Sequence, residues 1–467
     1  MLDRQIARWQ RTALKPYWLA GARQRLASLG LQHENALWTA KSQELYLFCW
    51  KTTMEEIRKT RQLSGSEWWL LSDYYGSSNG VLTSFWEPKL TDAGMEVVRR
   101  IQQPLLLLAA RPGDTLDANI TRGRALQLTY ESGAVLNVSL WVSYLNGQAL
   151  PAGRPLKLRW HVRKAAQQAD NGAVLCSGSD RVIASAIKDG EPTPVGAAHC
   201  ALPTLTDRPE TYILSARLGN LTANSWRTRA FPRLPDSAPA AGVRVFAAPS
   251  LCADTGVIGT VCMSESTGGL RRGVYVVEQL NASLLAAVRS GSTVLLNSGV
   301  CHRTTDVVCV GDPTLSSIAP FELGGFQPSS WNDGGATRSV GTLTYPRADS
   351  IIGGMAPERF LDEGWYHLLD ASRNYVLTNA TARVETLIRS IDYFGMPNGG
   401  SRNTSLSSPA IYERFARPKA LLWQARIGNG TLVVGGFDLG QAPARRVEQS
   451  YLLRRLVQHA VGLFGPQ

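Results

Sequence analysis

The hydrophobic period of this chain changes twice, and each change predicts a new kind of architecture. Up to about residue 103 the spacing is helical. Ile6, Trp9, Leu14, Trp18, Ala22, Leu26 and Leu29 recur on one face, with Pro16 dividing two helices. A second helical region runs from His33 to Leu63, with Leu37, Leu45, Phe48 and Ile57 as core candidates. Residues 68–72 are a short apolar run bounded by turn residues, the pattern of a strand buried on both faces. Thr91 then stands where a helix through Val97, Val98 and Ile101 needs its cap. Helix, helix, buried strand is the order found at the end of a (β/α)8 barrel, so residues 1–103 are expected to be the C-terminal remnant of one.

From 104 to 233 the period becomes two. Residues 105–110, 125–130, 135–144, 156–162 and 212–217 read as strands separated by Gly, Pro and Asn. Val138, Leu140, Val142 and Tyr144 alternate with Asn137, Ser139, Trp141 and Ser143, which puts Asn137 on an exposed face. Several short strands in about 130 residues predict an immunoglobulin-like β-sandwich. A Pro/Ala-rich linker follows at 234–242. Residues 243–467 then alternate short apolar strands (243–247, 274–277, 293–296) with a helix at 280–288, the texture of an open α/β domain. A hairpin turning at Gly428-Asn429-Gly430 and a final helix at 447–463 close this region.

Composition narrows the class. The chain has 467 residues and a net charge of +12, but its basic residues come in small scattered pairs such as Arg99-Arg100 and Arg445-Arg446. There is no dense basic stripe and no nucleic-acid motif, so nucleic acid is not the expected partner. No run of eighteen apolar residues exists, so no membrane span is expected. Residues 1–30 lack a signal-peptide pattern. Yet Asn119, Asn137, Asn220, Asn281, Asn379, Asn403 and Asn429 all begin Asn-X-Ser/Thr sequons. That is seven of sixteen asparagines, where about two or three would arise by chance, and the excess points to a glycoprotein on a secreted or lysosomal route. A targeting signal would then lie upstream of Met1, which makes a fragment of a longer chain the expectation. Among seven cysteines, Cys252/Cys262 and Cys301/Cys309 are close pairs and Cys176/Cys200 could bridge the sandwich. Cys49 is expected to be a buried thiol within a helix. No CxxC and only six scattered histidines leave no metal site to propose.

The loop after residues 68–72 carries the candidate chemistry. Asp73, Tyr75, Asn79 and Trp86 combine hydrogen-bonding groups with aromatic faces, the mixture that suits a sugar. Asp73 follows the expected strand at its C-terminal end, the functional face of such barrels; it could contact substrate or bond the loop backbone. Trp69 could pack in the core or serve as a sugar platform, and Trp86 and Tyr75 carry the same two readings. Asn79 before Gly80 reads as a turn residue. Glu55 and Glu56, beside Arg58 and Lys59, read as a solvated ion-pair face. Glu67 and Glu87 lie at the opening of the strand and on a loop rim. The glycines at 435–436 lack the following Lys-Ser/Thr of a phosphate loop, and no Gly-x-Ser-x-Gly elbow occurs.

These residues resemble the C-terminal part of β-galactosidase-like enzymes of glycoside hydrolase family two. Trp50-Lys51 with Glu55 and Arg58 is similar to a segment of that family's last barrel helix. Trp69, Leu70, Leu71, Asp73 and Tyr74, then Gly80, Leu82, Phe85, Trp86 and Lys89, resemble the strand and loop that follow it. Asn224-Ser225-Trp226 with Phe231-Pro232 resembles the end of the family's sandwich domain. Trp331-Asn332, Ser390-Ile391-Asp392, the hairpin at 428–430 and Phe437-Asp438-Leu439 resemble its C-terminal module. The chain departs from the family in Glu67-Trp68-Trp69 at the strand start and in a short loop, Gly76 to Gly80.

The resemblance implies a retaining hydrolase of β-galactosides or related glycans, needing no cofactor, with Asp73, Trp69, Tyr75 and Trp86 shaping a sugar subsite. It also implies an acid/base glutamate and a nucleophile on barrel strands preceding this region, with carboxyls roughly 5–5.5 Å apart. No glutamate in residues 1–103 has a second carboxylate credibly placed against it, so the chain by itself is expected to be inactive. The other reading is a non-catalytic carbohydrate-binding or scaffold protein. A partial barrel leaves open strand edges, so residues 1–103 alone are expected to be unstable.

Overall fold

The structure is a computed structural model. It describes residues 7–12, 27, 30, 32–61, 65–68, 70–73, 80–113, 116, 129–147, 150, 155–165, 172–263, 270–297, 318, 321–323, 343–346, 363–369, 372–377, 384–391, 418–437, 439 and 445–464. Tertiary contacts divide the chain into two compact units. One holds residues 1–16, 27–205 and 209–231; the other holds 17–26, 206–208 and 232–467.

The first unit begins with a long helix, α1 (Asn35–Lys59), whose Trp38, Trp50 and Met54 are buried. Thr91 caps α2 (Asp92–Ile101) as its position predicts, its hydroxyl accepting from the Gly94 amide at 3.2 Å. Trp50, Met54, Val81, Leu90, Val98 and Ile101 form one apolar cluster between the two helices and the intervening loop. Cys49 is exposed rather than buried and makes no disulfide. It precedes Trp50 by one residue, about 100° around the helix from the buried stripe. The described residues of the 68–72 run, 68 and 70–72, do not form a strand buried on both faces. These residues meet 81–82 through an isolated parallel bridge, Ser72 to Leu82, and Leu71 is 61% exposed. Its apolar character serves aromatic packing instead: Trp68 stacks on Trp50 with ring centroids 4.4 Å apart.

Strands stand where the period-two reading placed them at 105–110, 135–144, 156–164 and 210–218; residues 125–128 lie outside the described residues, and three strands, at 174–182, 193–201 and 222–231, were not expected. A three-stranded sheet runs β1 (Leu105–Ala110), β3 (Val135–Tyr144), β6 (Thr193–Ala201), all antiparallel. A five-stranded sheet runs β2 (Thr129–Glu131), β8 (Thr222–Phe231), β7 (Glu210–Leu218), β4 (Leu156–Lys164), β5 (Val174–Val182). Leu136, Val138, Leu140 and Val142 of β3 enter one core with Leu158, Trp160, Leu214 and Trp226 of the other sheet. The cystine Cys176–Cys200 joins β5 to β6, and hence one sheet to the other. Strand β5 carries no apolar alternation and is an exposed edge. A Cβ on its Gly178 would come within 2.5 Å of the Trp160 ring, so only glycine lets the two strands close over that indole.

The second unit is built on a ten-stranded mixed sheet. Strands β10 (Val261–Cys262), β9 (Val245–Ala247), β11 (Val274–Val277), β12 (Thr293–Asn297) and β18 (Gly430–Gly435) are parallel neighbours in that order. Strand β17 (Pro418–Ile427) joins β18 through the expected hairpin, with Gly428 at φ +62° in its turn. Beyond it lie β13 (Phe321–Leu323), β14 (Leu343–Pro346), β15 (Arg373–Val376) and β16 (Val384–Ile391). Asn281 caps α3 (Ala282–Arg289), its side chain accepting from the Leu284 amide at 2.8 Å. The last helix, α4 (Val447–Leu463), buries Leu452, Leu453, Leu456 and Val457. The Pro/Ala segment after residue 233 is tied down: Leu234 is buried, and Arg454 bonds the Leu234 carbonyl and Asp236. Cys252–Cys262 is a disulfide, whereas Cys301 and Cys309 lie outside the described residues.

His459 of α4 meets the Gln424 amide oxygen at 2.9 Å, and Gln424 in turn donates to Glu385 at 2.6 Å. Burial pushes the His459 imidazole below its ordinary pKa, against the opposing pull of Glu385. The unfolded chain then binds the extra proton first, so stability falls as pH drops through the ordinary histidine range. Thermal melts at pH 7 and pH 5 should show this loss, and His459→Gln should flatten it.

Candidate functional site

The motif residues of α1 converge on the sandwich. Glu55 is only 5% exposed, so the solvated face expected for it is wrong. One carboxylate oxygen accepts from Lys51 one helical turn earlier and from the Asn224 side-chain amide at 2.7 Å. The other accepts from the Trp226 indole N–H at 3.0 Å. Lys51 lies 5.3 Å from the Trp226 ring centroid, a cation over the same indole. Asn224 also donates to the Leu107 carbonyl at 2.8 Å, which ties β8 to β1. Burial pushes the Lys51 ammonium pKa down, and the Glu55 charge opposes that shift. Glu56, by contrast, does form a helix-surface pair, 2.7 Å from Lys59.

One turn further on, Arg58 anchors the same interface. Its guanidinium donates to the Ser143 hydroxyl at 2.9 Å and to the carbonyls of Gln103, Pro104 and Ser143 at 3.0, 2.6 and 3.0 Å. Burial lowers its pKa to about 10, which leaves it charged at neutral pH. Residues 51, 55 and 58 recur at helical spacing, so one face of α1 carries the whole set. Sequence reasoning missed this role because a Lys–Glu pair at i, i+4 looks the same on a wet or a buried face. The one local signal was Trp50 and Met54 alongside it, also at i, i+4.

Asp73 is held within the loop. Its carboxylate accepts from the Gly80 amide and from Lys89, both at 2.8 Å. Burial raises its pKa, against the lowering effects of Lys89 and Gly80. These bonds are the loop-bracing role among its two expected ones. Lys89 lies 5.8 Å from the Tyr46 ring centroid, so the ion pair borders the Tyr46–Trp50–Trp68 aromatic cluster. A Cβ on Gly80 would stand 2.2 Å from the Asp73 nitrogen, so this crossing requires glycine. Trp86 is 65% exposed and, alone among described non-glycine residues, has a positive φ, +62°. The turn that holds it closes on Thr83, whose carbonyl accepts the Trp86 amide at 2.9 Å and whose amide donates to Glu87 at 2.7 Å. Behind it, Phe85 packs against Trp9 and Arg8, and Arg8 pairs with Glu87 at 2.7 Å. A positive φ is a sterically costly conformation for a residue with a bulky side chain.

Trp69, Tyr74, Tyr75 and Asn79 lie outside the described residues, as do Asn119, Asn379 and Asn403. Asn220, Asn281 and Asn429 are exposed, the first and last in hairpin turns, and Asn137 is half-buried on the outward face of β3. Trp331-Asn332, Asp392 and Asp438 are also outside; Phe437 and Leu439 are buried. Among the described residues no cluster of His, Cys, Asp or Glu could hold a metal, and no helix is long and apolar enough to cross a membrane.

Comparison with known proteins gives limited likeness. No family model matches the chain, and no curated protein matches it. Among solved structures, PhoD overlaps 32% of this chain at 15% identity and a TM-score of 0.15. A Bacteroides uniformis β-glucuronidase overlaps 41% at 11% identity and 0.17, and B. uniformis β-glucuronidase 2 with a bound cyclophellitol-6-carboxylate aziridine overlaps 42% at 11% and 0.16. The matched part is 27%, 22% and 24% of those three chains in turn. Overlaps of this size carry no argument about activity.

Removing one partner of a buried hydrogen-bonded charge leaves the others unpaired, at a cost of about 3–5 kcal/mol. Glu55→Ala should destabilise the first unit by about that much, because Lys51 and Trp226 lose their acceptor and Asn224 loses one of its two. Denaturant titration of the chain would measure it, and Glu56→Ala, removing the surface pair, should cost less than about 1 kcal/mol.

Proposed function

We propose that this chain supplies the supporting and sugar-contacting modules of a retaining, β-galactosidase-like glycoside hydrolase. The observation that carries the reading is the Glu55 junction. Two segments that resemble family-two motifs, Lys51–Glu55–Arg58 and Asn224–Trp226, lie about 170 residues apart in sequence, and their side chains bond each other. A shared tertiary contact gives those motif resemblances a common physical purpose. It also accounts for Glu55: with both oxygens engaged by three donors, it serves as a fixed acceptor and not as an acid/base or nucleophile.

In such a hydrolase the reaction proceeds by double displacement. One carboxylate attacks the anomeric carbon while a carboxylic acid protonates the leaving oxygen, and water then releases the glycosyl-enzyme. In this proposal those two carboxyls are not among the described residues of this chain. What the chain adds is a rim. Trp86 offers an indole face for the C–H surface of a pyranose, and Asp73 with Lys89 braces the loop that carries it. Trp69 and Tyr75 belong to the same rim in this reading. Two cystines, together with sequons on exposed turns, support an oxidising, secreted or lysosomal setting.

The exposed, strained Trp86 equally favours a carbohydrate-binding role without catalysis, and the two readings separate on turnover. The purified chain should release no nitrophenol from a nitrophenyl β-galactoside, and detectable turnover would overturn the proposal. Galactoside titration followed by tryptophan fluorescence should show binding that Trp86→Ala removes. Trp86→Gly should lose the same binding yet be about 1 kcal/mol more stable than Trp86→Val, since only glycine relaxes at positive φ.

A further inference from the structure

The parallel part of the second unit's sheet contains a reversal of strand order. The chain leaves β9, builds β10 on one side of it, then returns to place β11 on the other side and β12 beyond that. In open α/β sheets the carboxyl ends of the strands beside such a reversal form a crevice where ligands bind. Here those ends are polar. Ser250, just after β9, donates its hydroxyl to Glu278, just after β11, at 2.7 Å across the reversal. The Cys252–Cys262 disulfide ties the Ser250 turn to β10. Arg445 is buried behind it. Its three nitrogens bond the Leu439 carbonyl at 2.8 Å, the Asp254 carboxylate and the Ser250 carbonyl at 3.2 Å.

Asn297 ends the next strand. Leu296 stands opposite Val277, so one further residue brings Asn297 level with Glu278. On its other side Asn297 is in register with Gly435. It is 2% exposed, and its Oδ1 has no hydrogen-bond partner. Exchanging the two ends of the amide leaves a buried unpaired N–H in the same place, so one end lacks a partner either way. A Cβ at Gly435 would come 3.7 Å from that oxygen. Buried polar groups are normally satisfied, and an exception at a ligand-binding position of the fold points to a missing ligand.

The chemistry of the edge selects the ligand class. Arg445 has already spent its donors on Asp254, Leu439 and Ser250, so a phosphate finds no cation to meet. What remains are acceptors: the unpaired Asn297 Oδ1, and the Glu278 carboxylate, whose Oε2 takes the Ser250 hydroxyl. The field of Arg445 disfavours a second cation. A ligand rich in hydroxyl donors and without charge satisfies both acceptors. We infer that the carboxyl edge of this parallel sheet, between Ser250, Glu278 and Asn297, binds a small neutral polyhydroxyl ligand of the monosaccharide class. This site is separate in the chain from Trp86, and it stands on the second unit's own geometry.

The test is a titration of the full chain with galactose and with glucose, followed by calorimetry and by protein NMR. Inorganic phosphate and methylammonium are titrated in parallel. A saturable monosaccharide-binding component that persists in Trp86→Ala is expected, weakened about tenfold by Glu278→Gln, a loss of one charge-assisted hydrogen bond. Asn297→Leu should abolish that binding and raise the melting temperature by about 2–4 °C, because it removes a buried unpaired group. A merely structural asparagine would lower it. If Asn297→Leu does not fold, Glu278→Gln and Ser250→Ala carry the binding test, and unchanged binding in both overturns the inference. No saturable monosaccharide binding, tighter binding of phosphate or methylammonium, or loss of all monosaccharide binding in Trp86→Ala would each overturn the inference. Detectable turnover, or the absence of galactoside binding at Trp86, would bear on the proposed function and leave this site standing.

Discussion

One buried carboxylate organises the first unit. Glu55 accepts from Lys51 on its own helix and from Asn224 and Trp226 on β8. Those donors are useless to each other without it, since all three only donate at these atoms. A charge at this depth is tolerated because its oxygens are filled and a cation lies beside it. The same arrangement fixes the rotation of α1, because only one face of the helix carries Lys51, Glu55 and Arg58 together. With that rotation set, Trp50 and Met54 face the cluster that receives α2 and the loop from Val81 to Leu90. The placement of the Asp73 loop, and through it of Trp86, therefore descends from this junction.

The second unit rests on a different constraint, the apolar closure of a parallel sheet. Strands β11, β12 and β18 are buried along their length, as strands covered on both faces must be. Polar residues are driven to the strand ends, and at the carboxyl end they gather as Ser250, Glu278, Asn297 and Arg445. The free energy of the apolar strands is what allows one amide there to remain unpaired. Acid works against this unit through His459, whose pKa burial pushes below its ordinary value. A compartment of low pH would therefore tax the second unit at the packing of α4 on β17.

Function, in this reading, is divided between a surface and a support. Trp86 is the exposed element, kept in place by a turn that binds the backbone on both sides of it. Asp73 and Lys89 are support: their mutual ion pair and the Gly80 amide are internal to the loop. An aromatic platform needs just this combination, because a stacking face is useful only if it does not turn away or collapse into the core.

Local pattern determined much of this protein. The alternation at 135–144 placed β3, Thr91 marked the start of α2, the glycines at 428 and 430 marked a hairpin, and Cys176/Cys200 and Cys252/Cys262 paired as their spacing suggested. These features are decided within a few residues, or by a period that the chain carries along its whole length. Strands β5, β6 and β8 were not legible, because edge exposure and polar residues blur their alternation. Tertiary structure alone decided the rest. It buried Glu55, exposed Cys49, stacked Trp68 on Trp50, and left Asn297 Oδ1 without a partner. In each case the environment comes from residues far away in sequence, and no local period records whether a side chain will meet water or another part of the chain.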